Sequence, residues 1–291
     1  MIAAFHAYKF THFSSKEIVK TPHPSKLSLF QKIKLAIFGV DNPRPQNNKV
    51  PAQAFETVRL QSNKEIEAWE IKTEEPKGTV IIFHGFGGHK STMLDKSDVF
   101  LDLGYNVLLV DFMGSGGSEG NQTTIGYFES DQVKSSYDYI KAKGEKNIIL
   151  FGTSMGAAAI MKSISDHKIE PSKIILECPF GTMYETVCAR FKSMGIPKFP
   201  MAGLLVFWGG IENNFWAFGH NPAEYAKNIN TTTLLLYGEQ DERVSRKEID
   251  DIFRNLPGKK KLETYPLAGH ENYLTRNNEK WVTDIKGFLE E

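Results

Sequence analysis

One serine of this sequence stands in a setting that suits covalent chemistry. Ser154 is the centre of the segment G-T-S-M-G (152–156), which directly follows the apolar run 147–151 and directly precedes the helix-forming run 157–161. A sharp strand-to-helix turn exposes a serine hydroxyl and requires small residues two positions before and after it. The helix N-terminus adds partial positive charge where an oxyanion would form. We therefore predict that Ser154 is a nucleophile.

A second serine, Ser118, has the same glycine spacing but a different setting. It is the centre of G-G-S-E-G (116–120), which begins several residues after the apolar run that ends at Val110 and leads into polar residues 121–123. Because no strand directly precedes it and no helix directly follows it, nothing would expose the hydroxyl. We predict a turn there.

A serine nucleophile needs a general base, and that base is oriented by a carboxylate. In folds built around such a turn, the acid and then the histidine follow the serine along the chain. Three histidines come after Ser154, namely His167, His220 and His270. His167 lies in a polar stretch and His220 in an aromatic-rich segment, where surface exposure and packing are the simpler explanations. His270 follows the last predicted strand in a loop, and we predict that it is the base.

The predicted acid is Asp241, a few residues after the apolar run 233–237. This position places it in a loop at the same edge of the sheet as His270. Glu239 and Glu242 are alternatives in the same loop.

Two backbone N–H groups are predicted to bind the oxyanion. One belongs to Met155, directly after the serine, and the other to Phe86 in the glycine-rich loop 84–89. Phosphate binding is the alternative for that loop. It is disfavoured because a P-loop has glycine directly before lysine, whereas His89 stands before Lys90 here.

The elements that must position these residues follow an α/β rhythm. Runs 55–60 and 65–71 alternate in polarity and predict an antiparallel pair. Five continuous apolar runs predict strands buried on both faces of a parallel sheet, and 261–265 is a more polar edge strand. The five runs are 79–83, 106–110, 147–151, 173–176 and 233–237. Helices are predicted at 91–103, 125–143, 154–166, 245–256 and 271–289. The order predicts one doubly wound, mostly parallel eight-stranded sheet flanked by helices.

Residues 1–50 are predicted to be an N-terminal extension, and residues 51–291 the main domain. The extension contains Pro22, Pro24, Pro43 and Pro45 and one amphipathic stretch, Leu27 to Phe38. The apolar start of the chain is interrupted by polar residues long before the ~18 residues that a membrane span needs. We expect a soluble chain. The alternative left open is that residues 1–5 end a hydrophobic helix encoded upstream, which would tether the protein to a membrane.

Taken together, these motifs resemble those of the α/β-hydrolase superfamily. The motifs are H-G-F-G-G (84–88), Asp111 with its following glycines, the turn at Ser154, G-x-x-D ending at Asp241, and Gly269-His270. Within it the chain resembles the serine-aminopeptidase-like hydrolases and the related membrane-tethered α/β-hydrolase-domain proteins. The resemblance covers roughly residues 55–290 and implies the fold and the triad.

The resemblance further implies a small helical cap after the sixth strand, at about 180–223. This segment is rich in aromatic residues, and its length predicts that it carries helices of its own. Its aromatic side chains would line or roof an apolar pocket, although for any one of them packing onto the body is the favoured interpretation. Those predicted for the pocket itself are Phe180, Phe207, Trp208 and Trp216.

The predicted function is hydrolysis of a carboxylic ester or thioester with an apolar acyl or aryl group, through an acyl-enzyme. An aminopeptidase or amidase is the second hypothesis, and it would need Glu185 or Glu212 to bind the substrate amine. A hydrolase-like binding protein is the third, and the intact set of Ser154, Asp241 and His270 argues against it. The sequence leaves substrate, oligomeric state and compartment open.

Composition excludes other classes. Thirty-five basic residues balance 35 acidic ones, so no net positive charge favours nucleic acid. The sequence contains no metal-ligand motif, and we predict neither a metal nor a cofactor. The two cysteines, Cys178 and Cys188, do not form a disulfide framework.

Overall fold

A single eight-stranded sheet organises the chain. We describe it from a computed structural model, which covers residues 1–15, 18–22 and 28–291. The strands run in the order β1-β2-β4-β3-β5-β6-β7-β8. They are β1 (Phe55–Leu60), β2 (Ile66–Ile71), β3 (Thr79–Phe83), β4 (Asn106–Val110), β5 (Ile148–Thr153), β6 (Lys173–Glu177), β7 (Thr232–Gly238) and β8 (Lys260–Tyr265). β2 pairs antiparallel with β1 and β4, and the remaining pairs are parallel. This confirms the predicted fold class.

Helices cover both faces of the sheet. They are α1 (Ile2–Thr11), α2 (Leu29–Phe38), α3 (Leu94–Asp102), α4 (Glu129–Ala142), α5 (Met155–His167), α6 (Met183–Met194), α7 (Met201–Glu212), α8 (Pro222–Tyr225), α9 (Arg246–Asn255), α10 (Tyr273–Arg276) and α11 (Asn278–Glu290). β3 shows how the faces divide. Ile81 and Phe83 pack with α4 and α5, whereas Val80 and Ile82 pack with Phe100 of α3 on the other face. A strand buried on both sides is therefore apolar on both faces, as residues 80–83 are.

Two predicted helices differ from the structure at identifiable residues. The helix predicted from residue 125 begins at Glu129, because Ile125 and Gly126 have positive φ. The Glu129 carboxylate accepts the N–H groups of Thr124 and Gly126, which stabilises this turn instead of a helix. The helix predicted over 271–289 is two helices, since Asn277 adopts a non-helical conformation between α10 and α11.

The N-terminal region contains more structure than predicted. α1 was not predicted, and it packs against α7. α2 falls within the predicted amphipathic stretch, whose first residue, Leu27, lies outside the described residues, as does Pro24. The division at residue 50 stays a prediction.

The segment between β6 and β7 contains α6 and α7, so it does carry helices of its own. Its role as a cap stays a prediction. In the described residues, no helix combines the length and apolar character that crossing a membrane requires.

Candidate active site

Ser154 lies where β5 ends and α5 begins. Its backbone has φ 51° and ψ −106°, a conformation that L-residues rarely adopt, and its N–H donates to the Glu177 carbonyl at 2.7 Å. Such conformations cost free energy and persist where the surrounding structure enforces them. Here β6 on one side and the first turn of α5 on the other hold the serine at the carboxyl edge of the sheet.

The two glycines around Ser154 are required by close backbone contacts. A Cβ atom on Gly152 would lie 2.6 Å from the Ala157 nitrogen, and one on Gly156 would lie 2.4 Å from the Phe83 carbonyl oxygen. Both distances are far below van der Waals contact. The G-x-S-x-G pattern therefore reflects how closely α5 approaches β3 and its own strand.

The structure brings the three predicted triad residues together. His270 Nε2 lies 3.1 Å from Ser154 Oγ, and His270 Nδ1 lies 2.7 Å from Asp241 Oδ2. The other oxygen of the buried Asp241 carboxylate accepts the N–H groups of Arg243 and Val244, at 2.7 and 2.9 Å. Because an ionised carboxylate only accepts hydrogen bonds, Nδ1 carries the proton and Nε2 is free to accept one from the serine. This arrangement can activate Ser154 as a nucleophile.

The alternative residues are engaged elsewhere. Ser118 is buried, and its hydroxyl donates to the Asp111 carbonyl at 2.7 Å and accepts the Glu67 N–H at 2.8 Å. His167 contacts the Asp131 carboxylate at 2.8 Å. His220 is buried, and its Nε2 bonds the Ile125 carbonyl at 3.0 Å. The loop acids Glu239 and Glu242 are exposed, and among the described residues neither forms a hydrogen bond or ion pair with His270.

The glycine-rich loop after β3 lies against the serine. The position of a Cβ on Gly85 would be 3.6 Å from the Ser154 Cβ. Buried His84 holds this loop, since its Nδ1 donates to the Gly85 carbonyl at 2.9 Å and its Nε2 accepts the Phe112 N–H at 3.1 Å. Burial lowers the pKa of His84 to about 4, so the ring is neutral and keeps the lone pair that accepts from Phe112.

The two predicted oxyanion donors are the backbone N–H groups of Phe86, directly after Gly85, and of Met155, directly after Ser154. Within the part of the chain that the structure describes, neither the Phe86 N–H nor the Met155 N–H donates a hydrogen bond to another group. Met155 is the first residue of α5, where backbone N–H groups have no partner inside the helix. Both N–H groups are therefore available to a ligand.

Side chains from the N-terminal region and from α6 lie next to this loop. The sequence contains no motif that predicts these contacts. The Phe10 ring stacks on Phe86 with centroids 4.7 Å apart and planes 7° from parallel. Phe13 contacts the same ring at 5.9 Å. The guanidinium of Arg190, on α6, lies 4.3 Å from the Phe10 ring centroid.

The sheet beneath Ser154 contains a buried charge network. Glu177, whose carbonyl binds the Ser154 N–H, forms an ion pair with Lys96. The same carboxylate accepts from Thr153 Oγ1 at 3.1 Å and from Trp281 Nε1 at 3.1 Å. A buried charge needs such partners, and they hold the end of β6 in place under Ser154.

The four aromatic side chains predicted for the pocket differ in how much of their surface is exposed. Phe180 is buried against the His220 ring, Phe207 and Trp216 are 39% and 63% exposed, and Trp208 is half-buried. Two clefts next to the triad, of about 310 and 510 Å³, are lined by other residues. His270 and Arg243 line the first, and Glu185 and Arg243 line the second. The role of the four aromatic residues stays a prediction.

One group of side chains could in principle hold a metal. Cys178, Asp241 and His270 each place one ligand atom within 4.8 Å of the others. Burial raises the pKa of the Cys178 thiol well above its usual value, and a metal would need the thiolate. Asp241 and His270 are hydrogen-bonded to each other, so the donor set fits a protonated thiol beside the pair better than a metal.

Comparisons with known proteins agree with this geometry. Residues 74–206 match the family model described as serine aminopeptidase, S33. The chain is 24% identical over 230 residues to the uncharacterized protein YqkD of Bacillus subtilis (strain 168), covering 78% of this chain and 75% of that protein. It is 28% identical over 186 residues to the lysophosphatidylserine lipase ABHD12 of Danio rerio, covering 61% and 47% respectively.

The fold is shared with solved esterase structures. The Pyrococcus furiosus esterase Pf2001 superposes with a TM-score of 0.72 at 23% identity, covering 85% of this chain and 96% of that one. The family model, the lipase relative and the solved esterase all support an α/β-hydrolase superfamily hydrolase, with esterases and lipases among the similar proteins.

Proposed function

We propose that this protein is a serine hydrolase that cleaves a carboxylic ester or thioester of a small molecule through an acyl-enzyme. The observation that carries the proposal is the continuous chain of contacts from Ser154 through His270 to Asp241. A binding protein would have no need to hold a serine in a strained conformation with a free imidazole nitrogen facing it. The lipase and esterase names of the relatives support the ester class.

In the first half of the reaction, Ser154 Oγ bonds to the carbonyl carbon and its proton moves to His270 Nε2. Asp241 holds the imidazole in the required tautomer and stabilises the imidazolium. The N–H groups of Phe86 and Met155 donate to the oxyanion. The bond to the leaving oxygen or sulfur then breaks, and His270 returns the proton to that atom.

In the second half, a water molecule loses a proton to His270 and attacks the acyl carbon. The bond from that carbon to Ser154 Oγ breaks, His270 returns the proton to Oγ, and the carboxylic acid leaves. The products are one acid and one alcohol or thiol. No further reactant is required.

The nucleophile is tested with a fluorophosphonate probe. The wild type should become labelled, and Ser154→Ala should not. Ser163→Ala is the matched control, because Ser163 lies on the same helix, α5, and its buried hydroxyl has no hydrogen-bond partner among the residues that the structure describes. Both Ser163→Ala and Ser118→Ala should label. Labelling lost in Ser118→Ala and kept in Ser154→Ala would refute the proposal.

The acid is tested by Asp241→Asn. The neutral amide would favour the wrong imidazole tautomer, and we expect kcat to fall by about 10⁴-fold with a small change in KM. Glu239→Gln, a change in the same loop at an exposed residue, should keep kcat within about twofold. Equal losses in both variants would remove Asp241 from the proposed triad.

The aminopeptidase alternative has one supporting observation besides the matched family model. Glu185 lines the cleft of about 510 Å³ beside Asp241, where a carboxylate could bind a substrate amine. Glu212, the other candidate, lies at the end of α7 and does not line either cleft. 4-Nitrophenyl esters of graded acyl length, assayed beside aminoacyl anilides, separate the two activities. Faster cleavage of the anilides would favour the peptidase.

A further inference from the structure

Three cationic side chains lie around the proposed active site, two at the loop of the proposed oxyanion donor and one in the clefts beside His270 and Asp241. The Arg190 guanidinium lies 5.4 Å from the Phe86 ring centroid, in addition to its contact with Phe10. The Lys20 ammonium lies 3.2 Å from the position that a Cβ on Gly87 would occupy. Arg243 follows the triad acid by two residues and lines both clefts, the first of them together with His270. The three charges come from three distant segments of the chain.

None of these cations has an anionic partner among the residues that the structure describes. No ion pair within 4.0 Å involves Lys20, Arg190 or Arg243, although 22 ion pairs form elsewhere among those residues. Lys20 and Arg243 are exposed, where an unpaired charge is common. The half-buried Arg190 lies over the stacked rings of Phe10 and Phe86 without a carboxylate, whereas charges removed from water are ordinarily paired.

Three nearby carboxylates accept hydrogen bonds from other groups. Asp241 binds His270, and Glu248 accepts the N–H groups of Gly181 and Ser245. Glu185 accepts from the Thr182 hydroxyl at 3.1 Å. Glu242 is exposed on the rim of both clefts and pairs with none of the three cations. The unpaired positive charge is therefore a property of the site as built.

Besides burial, the charge of Arg243 lowers the pKa of the other two cations, as expected for positive groups around one site. Burial and then the charge of Arg243 lower the pKa of Arg190 to about 9. The same two causes lower the pKa of Lys20. Arg190 therefore remains charged at pH 7 and repels Arg243, and a bound anion would relieve that repulsion. Perturbed groups of this kind concentrate at functional sites.

The position of Arg243 indicates which part of a substrate it would meet. In the proposed reaction, His270 returns a proton to the leaving oxygen, so the alcohol part of the ester must lie on the imidazole side of Ser154. Arg243 shares the cleft on that side with His270. Guanidinium groups match the geometry of carboxylate and phosphate oxygens, with which they form paired, charge-assisted hydrogen bonds.

We propose that Arg243, Arg190 and Lys20 form an oxyanion-binding subsite that recognises a carboxylate or phosphate group on the alcohol part of the substrate. The substrate class is then an ester with an acyl group on one side and an anionic alcohol on the other. This inference rests on the proposed hydrolase function, and its tests are designed to fail separately from that function.

The first test compares matched esters that differ only in charge. 3-Butyryloxybenzoate is paired with 3-butyryloxybenzamide, and 1-butyrylglycerol 3-phosphate with 1-butyrylglycerol, with acid release followed by titration. We expect kcat/KM to be at least about tenfold higher for the anionic member of one pair, and the pair that shows it distinguishes carboxylate from phosphate. Added salt should reduce the preference. Equal kcat/KM values within both pairs would overturn the subsite and leave the hydrolase intact.

Variants then assign the preference to residues. Arg243→Gln should lower the anionic-to-neutral ratio of kcat/KM about tenfold, mostly through KM, and Arg190→Gln and Lys20→Gln should lower it to a smaller extent. Arg254→Gln is the matched control, since it removes the same charge from an exposed arginine of α9 that pairs with Asp251. The control should retain the ratio. An equal fall in Arg254→Gln and Arg243→Gln would contradict the assignment.

The second test does not depend on turnover. Binding of 3-hydroxybenzoate and glycerol 3-phosphate to the Ser154→Ala protein is measured by ligand-observed NMR, and repeated with Arg243→Gln added. Binding that Arg243→Gln weakens supports the subsite even if the proposed esters are not cleaved. Binding of neither compound, or equal binding by both proteins, refutes it. Thermal melting of each variant confirms that it folds.

Discussion

At the scale of single residues, the site depends on two glycines as much as on its polar side chains. Ser154 can occupy its positive-φ conformation only because Gly152 and Gly156 let α5 approach the backbone of β5 and β3. The Phe83 carbonyl, which Gly156 touches, directly precedes the loop of the proposed oxyanion donor. The same contact thus fixes the distance between nucleophile and loop.

A methyl group at Gly156 should disturb both elements. Gly156→Ala would place a Cβ 2.4 Å from the Phe83 oxygen, and we expect a loss of about 1–3 kcal/mol in the free energy of unfolding together with a large loss of esterase activity. Urea unfolding and ester hydrolysis measure the two effects. At Gly287, in α11, an added Cβ would have no described atom within 4 Å outside the neighbouring helix backbone. Gly287→Ala should therefore raise the free energy of unfolding by up to about 1 kcal/mol. Native stability and activity in Gly156→Ala would contradict this account.

At the scale of elements, α1 is joined to the site. Its Phe10 stacks on Phe86, and its last residue, Thr11, accepts from the Asn213 amide at 3.2 Å beyond the end of α7. The Thr123 N–H donates to the Thr11 carbonyl at 2.9 Å. A segment predicted as an extension therefore contacts the loop that presents a proposed oxyanion donor.

Phe10 should act as a positioning residue for that loop. Phe10→Ala removes the ring that packs on Phe86, and we expect kcat to fall between about 10- and 100-fold with a smaller change in KM, because a displaced donor costs transition-state stabilisation. Phe10→Tyr, which keeps the stacking ring, should restore kcat. Phe5→Ala, which removes a 48% exposed ring from the same helix, is the control. A lower melting temperature with unchanged kcat would show that the contact only stabilises the fold.

At the scale of the whole molecule, two buried neutral histidines make the stability of the fold depend on pH. Burial lowers the pKa of both His84 and His220 to about 4. Between pH 6.5 and 4 the unfolded chain binds protons that the folded chain does not, so stability rises with pH in this window and is lost as the pH falls through it. His84 holds the loop after β3, and His220 joins the segment after α7 to Ile125.

We expect each histidine to remove about 1–2 kcal/mol from the free energy of unfolding between pH 6.5 and 5. Urea unfolding at intervals from pH 8 to 5 measures the slope. His220→Gln, which keeps a donor toward the Ile125 carbonyl, should be less stable at pH 8 but should show a shallower slope than the wild type. An unchanged slope in the variant would mean that His220 is not a source of the acid sensitivity.

Much of this architecture could be predicted from local patterns. The strands β3 and β4 begin and end where the predicted runs 79–83 and 106–110 do, because residues 80–83 and 107–110 are buried on both faces and are all apolar. The turn at Ser154 could be recognised because a strand, a glycine-spaced serine and a helix are contiguous in the chain. The order of acid and histidine after it followed from the topology of the fold.

Contacts between distant segments could not be predicted in this way. Nothing in the sequence around Phe10 indicates that its ring stacks on Phe86, 76 positions away by their residue numbers. Nothing in the sequence around Lys20 or Arg190 indicates that both lie at the loop after β3, or that Arg243 shares a cleft with His270. The sequence by itself determined the sheet, the turn at Ser154 and the candidates for base and acid, since these depend on periodicity and backbone geometry within a few residues. Only the tertiary structure decided which side chains surround them, because that depends on packing between elements far apart in the chain.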